Sequence, residues 1–311
     1  MTDDTQAVTD VVLAIDFGGT KTAVGCATVD GQLRLARRMP TYPSPAERSV
    51  TRVLDRVLAE AGRLRRQAAA EPGWRLAGAG AVFPGVVLPD QVLLAPNMPG
   101  WESVSLARVV EAGLPGLAVS TGNDVRAAAL AEARWGRLRG VRNGLYVNAG
   151  TGLGAAFVLD GRPVAGAHGA AGEIGYAVSG AAGGHRMMED VIGGGPLGKQ
   201  ASEIAGRPMT AADAFAATEP RLRRLVDEAV AEFGRQLAGF ATLLDPERIV
   251  IGGGLTNSAE RLLGPLRAAL AKIAPFPAEI VPSAFADAAL LGAAALAFDA
   301  AALPSGTAGS R

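Results

Sequence analysis

Apolar residues along this chain fall into two patterns. Short continuous runs, Val11–Asp16, Ala77–Val82, Leu117–Ser120, Gly144–Asn148, Arg248–Ile251 and Ala278–Val281, predict buried strands. Between them lie stretches with helical spacing: Arg48–Gln67, a helix capped by Asn123 or Asp124 and running to Trp135, Arg221–Leu244, Ala259–Lys272, and a terminal helix from Ala288. In Arg221–Leu244 the stripe is Leu225, Ala229, Phe233, Leu237 and Phe240. Thr20–Val29 alternates and turns at Asp30-Gly31 into Gln32–Ala36, while Ala155–Leu159 leads to a second such turn at Asp160-Gly161. Strand, glycine turn, strand and Asp-Gly hairpin therefore occur twice, which predicts an internally duplicated α/β fold.

Composition narrows the class. With 311 residues there is room for one large domain or two modest ones, and 49% hydrophobic with 19% charged residues suits a compact soluble protein. Thirty basic and thirty acidic residues cancel, giving no electrostatic reason to expect nucleic acid or a membrane surface as partner. A single cysteine, Cys26, excludes an internal disulfide and points to a cytoplasmic home. Met1-Thr2-Asp3-Asp4 is acidic where a signal peptide is basic, and Ala288–Phe298 is too short to span a bilayer. Residues 1–10 and 303–311 are small and polar and read as disordered.

The chemistry concentrates in glycine turns that follow strands. Asp16-Phe17-Gly18-Gly19-Thr20-Lys21, Gly150-Thr151-Gly152-Leu153-Gly154 and Gly252-Gly253-Gly254-Leu255 each place glycines where backbone N–H groups could approach a polyphosphate. No Walker Gly-Lys-Ser sequence is present, and Gly150-x-Gly152-x-Gly154 lacks the spacing of a dinucleotide fingerprint.

In chain order these loops are joined by Phe83-Pro84-Gly85, Ala95-Pro96-Asn97-Met98-Pro99-Gly100-Trp101, Gly122-Asn123-Asp124 and Ala171-Gly172-Glu173-Ile174-Gly175. The series, from about Val12 to Ala297, resembles the ROK-type sugar kinases, the group containing bacterial glucokinases within the actin-like ATPase superfamily. The resemblance implies a two-domain actin-like ATPase (ribonuclease H-like) fold with duplicated mixed β-sheets flanked by helices. Residues 1–122, completed by a helix at about 288–302, would form one domain and 123–287 the other, and a homodimer is implied. It also implies domains that close over ATP and a hexose, with Asp124 deprotonating the 6-hydroxyl; the plain alternative for Asp124 is an N-cap. Sugar contacts are implied at Asn97, Asn123, Glu173 and Glu189. Asn97 could equally be a turn residue, Asn123 a cap, and Glu173 a solvated loop carboxylate. Gly18, Gly19 and Thr20 would line the β- and γ-phosphates, as would Gly150, Thr151 and Gly152. Asp16 would orient hydrated Mg²⁺, Gly253 and Gly254 would pass near the adenosine, and Lys21 would lie near the phosphates or extend to solvent.

One segment departs from the family. Many members follow the Gly-Glu-x-Gly turn with a zinc-binding His and three cysteines; here Tyr176, Gly180, Ala182 and Met187 stand at those places, and His185 is alone. No zinc is expected, and loop 176–190 is left to packing by Tyr176, Met187 and Met188 or to mobility. Loss of the imidazole with retention of Glu173 and Glu189 keeps open an acceptor bearing an ammonium group, such as kanosamine, beside glucose. Three rivals are weaker. Only ten residues precede Val11, too few for the DNA-binding domain of repressor relatives; a non-catalytic sugar binder would not need Asp124; and the cluster Arg134, Arg137, Arg139 and Arg142 is modest for a polyphosphate donor.

Overall fold

The computed structural model describes residues 8–44, 47–180 and 186–301. The chain divides into two compact units, one running to Trp135 and resuming at Asp287, the other spanning Gly136–Ala286.

In the first unit, β1 (Thr9–Phe17), β2 (Lys21–Thr28) and β3 (Leu33–Pro40) form an antiparallel meander. Helix α1 (Val50–Ala70) leads to β4 (Trp74–Phe83), and a small hairpin of β5 (Val86–Val87) and β6 (Val92–Leu93) follows. Then come α2 (Leu106–Gly113), β7 (Val119–Asn123) and α3 (Asp124–Trp135). The sheet order is β3-β2-β1-β4-β7, with β1, β4 and β7 parallel. Val11, Leu13, Ile15 and Phe17 of β1 share a core with Val53, Val57, Ala61 and Leu64 of α1 and with Leu106 and Val110 of α2.

The second unit repeats the plan. β8 (Asn143–Ala149), β9 (Leu153–Leu159) and β10 (Arg162–Pro163) form the meander. A short hairpin of β11 (Val178–Ser179) and β12 (Arg186–Met187) precedes α4 (Met188–Ile192), α5 (Gly194–Ala205), α6 (Ala211–Ala216) and α7 (Pro220–Leu244). β13 (Arg248–Gly252), α8 (Ala259–Ile273) and β14 (Glu279–Pro282) complete it. The order β10-β9-β8-β13-β14, with β8, β13 and β14 parallel, matches the first sheet strand for strand. The duplication expected from the repeated pattern is present, as mixed sheets flanked by helices.

The last helix, α9 (Ala288–Ala300), belongs to the first unit. It is apolar on nearly all sides because it is buried on nearly all sides. A Cβ on Gly80 of β4 would lie 1.8 Å from the Ala293 carbonyl oxygen, and one on Gly292 would lie 2.1 Å from that of Ala127 in α3. The boundary expected at 122/123 falls instead after Trp135, because α3 packs along α9.

Other expectations shift for local reasons. Thr9 and Asp10 are not a disordered lead but the start of β1, and the Asp10 carboxylate pairs with Arg75 at 2.6 and 2.8 Å. Residues 1–7 and 302–311 lie outside the described residues. The alternation over Thr20–Val29 leaves no exposed face on β2: seven of its eight residues are buried. The buried face of α7 is Leu222, Val226, Ala229, Phe233 and Leu237, with Leu225 and Phe240 at its margin.

Candidate active site

β1 ends in Asp16-Phe17 and turns back at Gly18-Gly19-Thr20. Thr41, fully buried, secures this turn: its hydroxyl donates to the Gly18 carbonyl at 2.5 Å and its N–H to the Thr20 carbonyl at 3.0 Å. The Thr22 and Thr41 hydroxyls lie 3.0 Å apart. Thr20 and Lys21 are exposed, so a loop fixed from behind presents its tip outward. Beneath it, Phe17, Phe83 and Trp101 stack with centroids 4.7–6.3 Å apart, each ring coming from a different glycine-containing motif. This aromatic cluster brings Asn97 to the loop, where a Cβ on Gly19 would lie 3.4 Å from the Cβ of Asn97. Asn97 itself is exposed.

At the β7–α3 junction, Asn123 serves as the cap: its Oδ1 accepts from the Arg126 N–H at 2.8 Å, and its Nδ2 donates to the Gly85 carbonyl at 2.8 Å. Asn123 is therefore engaged inside the unit and 4% exposed. Asp124 opens α3 without that duty. Its Oδ1 accepts from the Val125 N–H at 2.8 Å and from Asn123 Nδ2 at 3.2 Å. Burial raises its pKa, and the Val125 hydrogen bond and Arg126 only partly oppose this.

Asp16 is pushed up to about 8, first by burial, then by the charges of Asp124 and Asp287. Asp287 stands at the N-cap of α9 yet makes no side-chain cap bond; Arg38 takes both of its oxygens, Nε at 2.9 Å. Among the described residues, no three His, Cys, Asp or Glu side chains come together closely enough to hold a metal directly.

In the second unit, β8 runs into Gly150-Thr151-Gly152 and returns as β9. The N–H groups of Gly194 and Gly195, opening α5, donate to the carbonyls of Gly150 and Thr151 at 2.8 and 2.9 Å. Leu153 N–H donates to Glu189 Oε2 at 2.9 Å. Gly253, at φ 88°, requires glycine, and a Cβ there would lie 2.5 Å from the Ala149 carbonyl, so the third glycine loop lies against the second. Gly254 faces open space. Glu173 precedes a short 3-10 turn ending at Tyr176, whose phenol pKa is raised by burial and then by Glu173 and Glu189. The charges of Glu173 and Glu189 thus both reach the Tyr176 phenol, which stays neutral.

In the segment lacking the zinc motif, Gly180 and Met187 are described, whereas Ala182 and His185 lie outside the described residues. Packing by Tyr176 and Met187 does not occur, since they are 43% and 48% exposed; Met188 is fully buried. The described part of the segment is tied to α7 instead. Ser179 Oγ donates to Glu232 Oε1 at 2.7 Å, Gln236 Nε2 donates to the Val178 carbonyl at 3.1 Å, and Arg235 pairs with Glu232. Burial alone would raise Glu232, but the bonds from Gln236, Ser179 and Arg235 bring it down to about 2.

Sequence reasoning missed Thr22, Thr41, Asp287 and the Gly194-Gly195 pair. The threonines carry no distinguishing signal, and Asp287 reads as a helix cap. The Gly193-Gly194-Gly195 run was visible and reads as a loop.

Comparison with known proteins agrees with this arrangement. The sequence model of the ROK family matches residues 12–300. The chain is 34% identical over 292 residues to the bifunctional enzyme NanE/NanK of Brucella melitensis biotype 1, covering 92% of this chain and 54% of that protein. It thus spans about half the length of that relative. It is 32% identical over 304 residues to the N-acetylmannosamine kinase of Salmonella typhi, covering 92% of this chain and 97% of that one. The crystal structure of a ROK family glucokinase from Streptomyces griseus, in complex with glucose and AMPPNP, superposes with a TM-score of 0.77 at 25% identity, covering 93% of this chain and 99% of that chain. A family match across almost the whole length, on a duplicated fold with glycine loops at corresponding strand ends, identifies the chain as a member of the ROK family.

Proposed function

We propose that this protein is an ATP-dependent sugar kinase that transfers the γ-phosphate to the 6-hydroxyl of a hexose, with Asp124 as general base. The observation that carries this is Asp124 itself, a carboxylate of raised pKa that accepts from the Val125 N–H at a helix start whose capping is done by Asn123, and whose charge reaches Asp16. A sugar hydroxyl is a poor nucleophile and gains from a positioned base as bonding to phosphorus develops. Burial makes the Asp124 carboxylate a better base once ionised, and the Val125 N–H orients it. Gly18, Gly19 and Thr20 hold the β- and γ-phosphates through their backbone; in the second unit Thr151 and Gly152 do the same, while Gly150 lines the phosphates and shapes the turn by giving its own N–H to the Gly152 carbonyl. Gly253 and Gly254 border the adenosine, and Lys21 adds charge at the phosphates. Asp16 anchors hydrated Mg²⁺, which when bound supplies charge neutralisation on the transferring phosphoryl group. Asn97, Asn123, Glu173 and Glu189 contact the sugar, Asn123 with whatever capacity its internal bonds leave.

The names of the relatives make glucose and N-acetylmannosamine the first acceptors to try. An ammonium-bearing hexose such as kanosamine is the second reading, favoured by the two carboxylates, Glu173 and Glu189, whose charges both reach Tyr176. ADP release with Mg·ATP across glucose, mannose, glucosamine, N-acetylmannosamine, N-acetylglucosamine and kanosamine tests both, with the product checked for phosphate at O6. Silence across the panel from folded protein would overturn the kinase assignment. The homodimer belongs to the same proposal and is read from the mass in solution.

A further inference from the structure

An anion-binding loop must turn its carbonyl oxygens away from the anion, and in residues 150–153 internal donors do this. The carbonyls of Gly150 and Thr151 accept from Gly194 and Gly195, and that of Gly152 accepts from the Gly150 N–H at 3.0 Å. The return strand is fixed differently, by a side chain: Leu153 N–H donates to Glu189 Oε2 at 2.9 Å. That oxygen is confined, because a Cβ on Gly152 would lie 2.7 Å from it and one on Gly175 3.2 Å. The Glu189 carboxylate therefore fills the gap between the phosphate loop and the turn that carries Glu173. An acceptor oxygen confined in such a place gives the loop a fixed, directional hydrogen bond.

We propose that Glu189 is a positioning residue for the phosphate loop 150–153, setting nucleotide affinity through the Leu153 N–H whether or not a sugar is bound. This rests on the kinase reading and deepens it: the residue that family resemblance sets against the sugar also holds the loop set against the phosphates. A substrate that draws on the other carboxylate oxygen then acts on the loop through one rigid group. A sugar that draws on that oxygen and a nucleotide held by the loop are then linked through Glu189, and the linkage is reciprocal.

The test is Mg·AMPPNP affinity by calorimetry in the absence of sugar, on folded full-length protein. Glu189→Ala should weaken it about tenfold, the range expected for losing a hydrogen bond to a charged group, while Glu189→Gln, which keeps an oxygen acceptor, should stay within about threefold of the parent. Where Glu189→Ala does not fold, Glu189→Met refills the volume without a strong acceptor and should show the same loss. Gly152→Ala, which pushes into the carboxylate, should also weaken binding in the parent, and much less so once Glu189 is alanine or methionine. If the folded acceptor-free variant binds Mg·AMPPNP as the parent does, with only the sugar KM raised, Glu189 is a sugar contact and the proposal is overturned. If Glu189→Gln falls as far as the acceptor-free variant, charge rather than the Leu153 bond is responsible and the proposal is again overturned. A parent that binds no Mg·AMPPNP overturns the kinase reading and this inference together.

Discussion

Burial raises the pKa of Asp16 and the charge of Asp124 adds to the rise, so the carboxylate proposed as base acts on the one proposed as metal anchor within a single unit. Replacing Asp124 by Asn keeps size and the Val125 hydrogen bond but removes the basic oxygen. Turnover should fall at least about a hundredfold with sugar affinity nearly unchanged. Steady-state rates beside direct sugar titration check this; near-parental turnover would mean that another group takes the proton.

Asp16 gives stability a pH dependence. Its folded value of about 8 lies above the model value of 3.8, so between these values the folded protein keeps a proton that the unfolded chain has released. Its contribution is complete below about pH 4 and is lost as pH rises through about 8. Asp16→Asn cannot ionise. Without nucleotide, its Tm minus that of the parent should grow from pH 4 to 8 and then level off; a constant difference would mean that Asp16 is ordinarily ionised.

Glu232 acts with the opposite sign. Folded at about 2 against a model value of 4.5, it stabilises fully above about pH 4.5, and that contribution fades as pH falls toward 2. Thermal scans of Glu232→Gln should therefore show a deficit at neutral pH that closes below pH 4.5. Hydrogen exchange should rise first in the β11–β12 hairpin, which Ser179 ties to α7. A deficit unchanged by acid would exclude the ion pair with Arg235 as its source.

Thr41→Val tests the rear support of the Gly18–Thr20 turn, proposed to hold phosphate. The change is nearly isosteric and leaves the Gly18 carbonyl and Thr22 hydroxyl without their partner, which should cost about 1–3 kcal/mol of stability. The KM for ATP should rise while that for the sugar stays close to parental. Equal effects on both would show that the turn as a whole had collapsed.

Gly80→Ala tests the seat of α9. The new methyl would overlap the Ala293 carbonyl, a backbone atom, so a loss of at least about 1–3 kcal/mol is expected in urea unfolding. An unchanged midpoint would mean that α9 can shift at little cost.

Much of this was legible in the sequence because it is local. A buried strand followed by glycines and an Asp-Gly hairpin specifies β1–β3 and β8–β10 without reference to the rest of the chain. What escaped depends on distant partners. α3 follows β7 directly, so nothing near Asp124 shows that it closes against Gly292, far along the chain. α5 begins with Gly194-Gly195-Pro196, which reads as a breaker; yet the first N–H groups of a helix lack intrahelical acceptors, and here they serve the loop carbonyls. The site was legible as a set of motifs, whereas the supports of those motifs, Thr41 and the Glu189–Leu153 bond, are ordinary residues until the chain brings them together.

The placement of α9 bears on synthesis. The first unit is begun by β1 and completed by α9, with the whole of residues 136–286 translated in between. The second unit has all its elements before the first does. Until α9 emerges, the β4 and α3 surfaces around Gly80 and Ala127 have no cover, and the nascent chain must carry that apolar face through most of its translation.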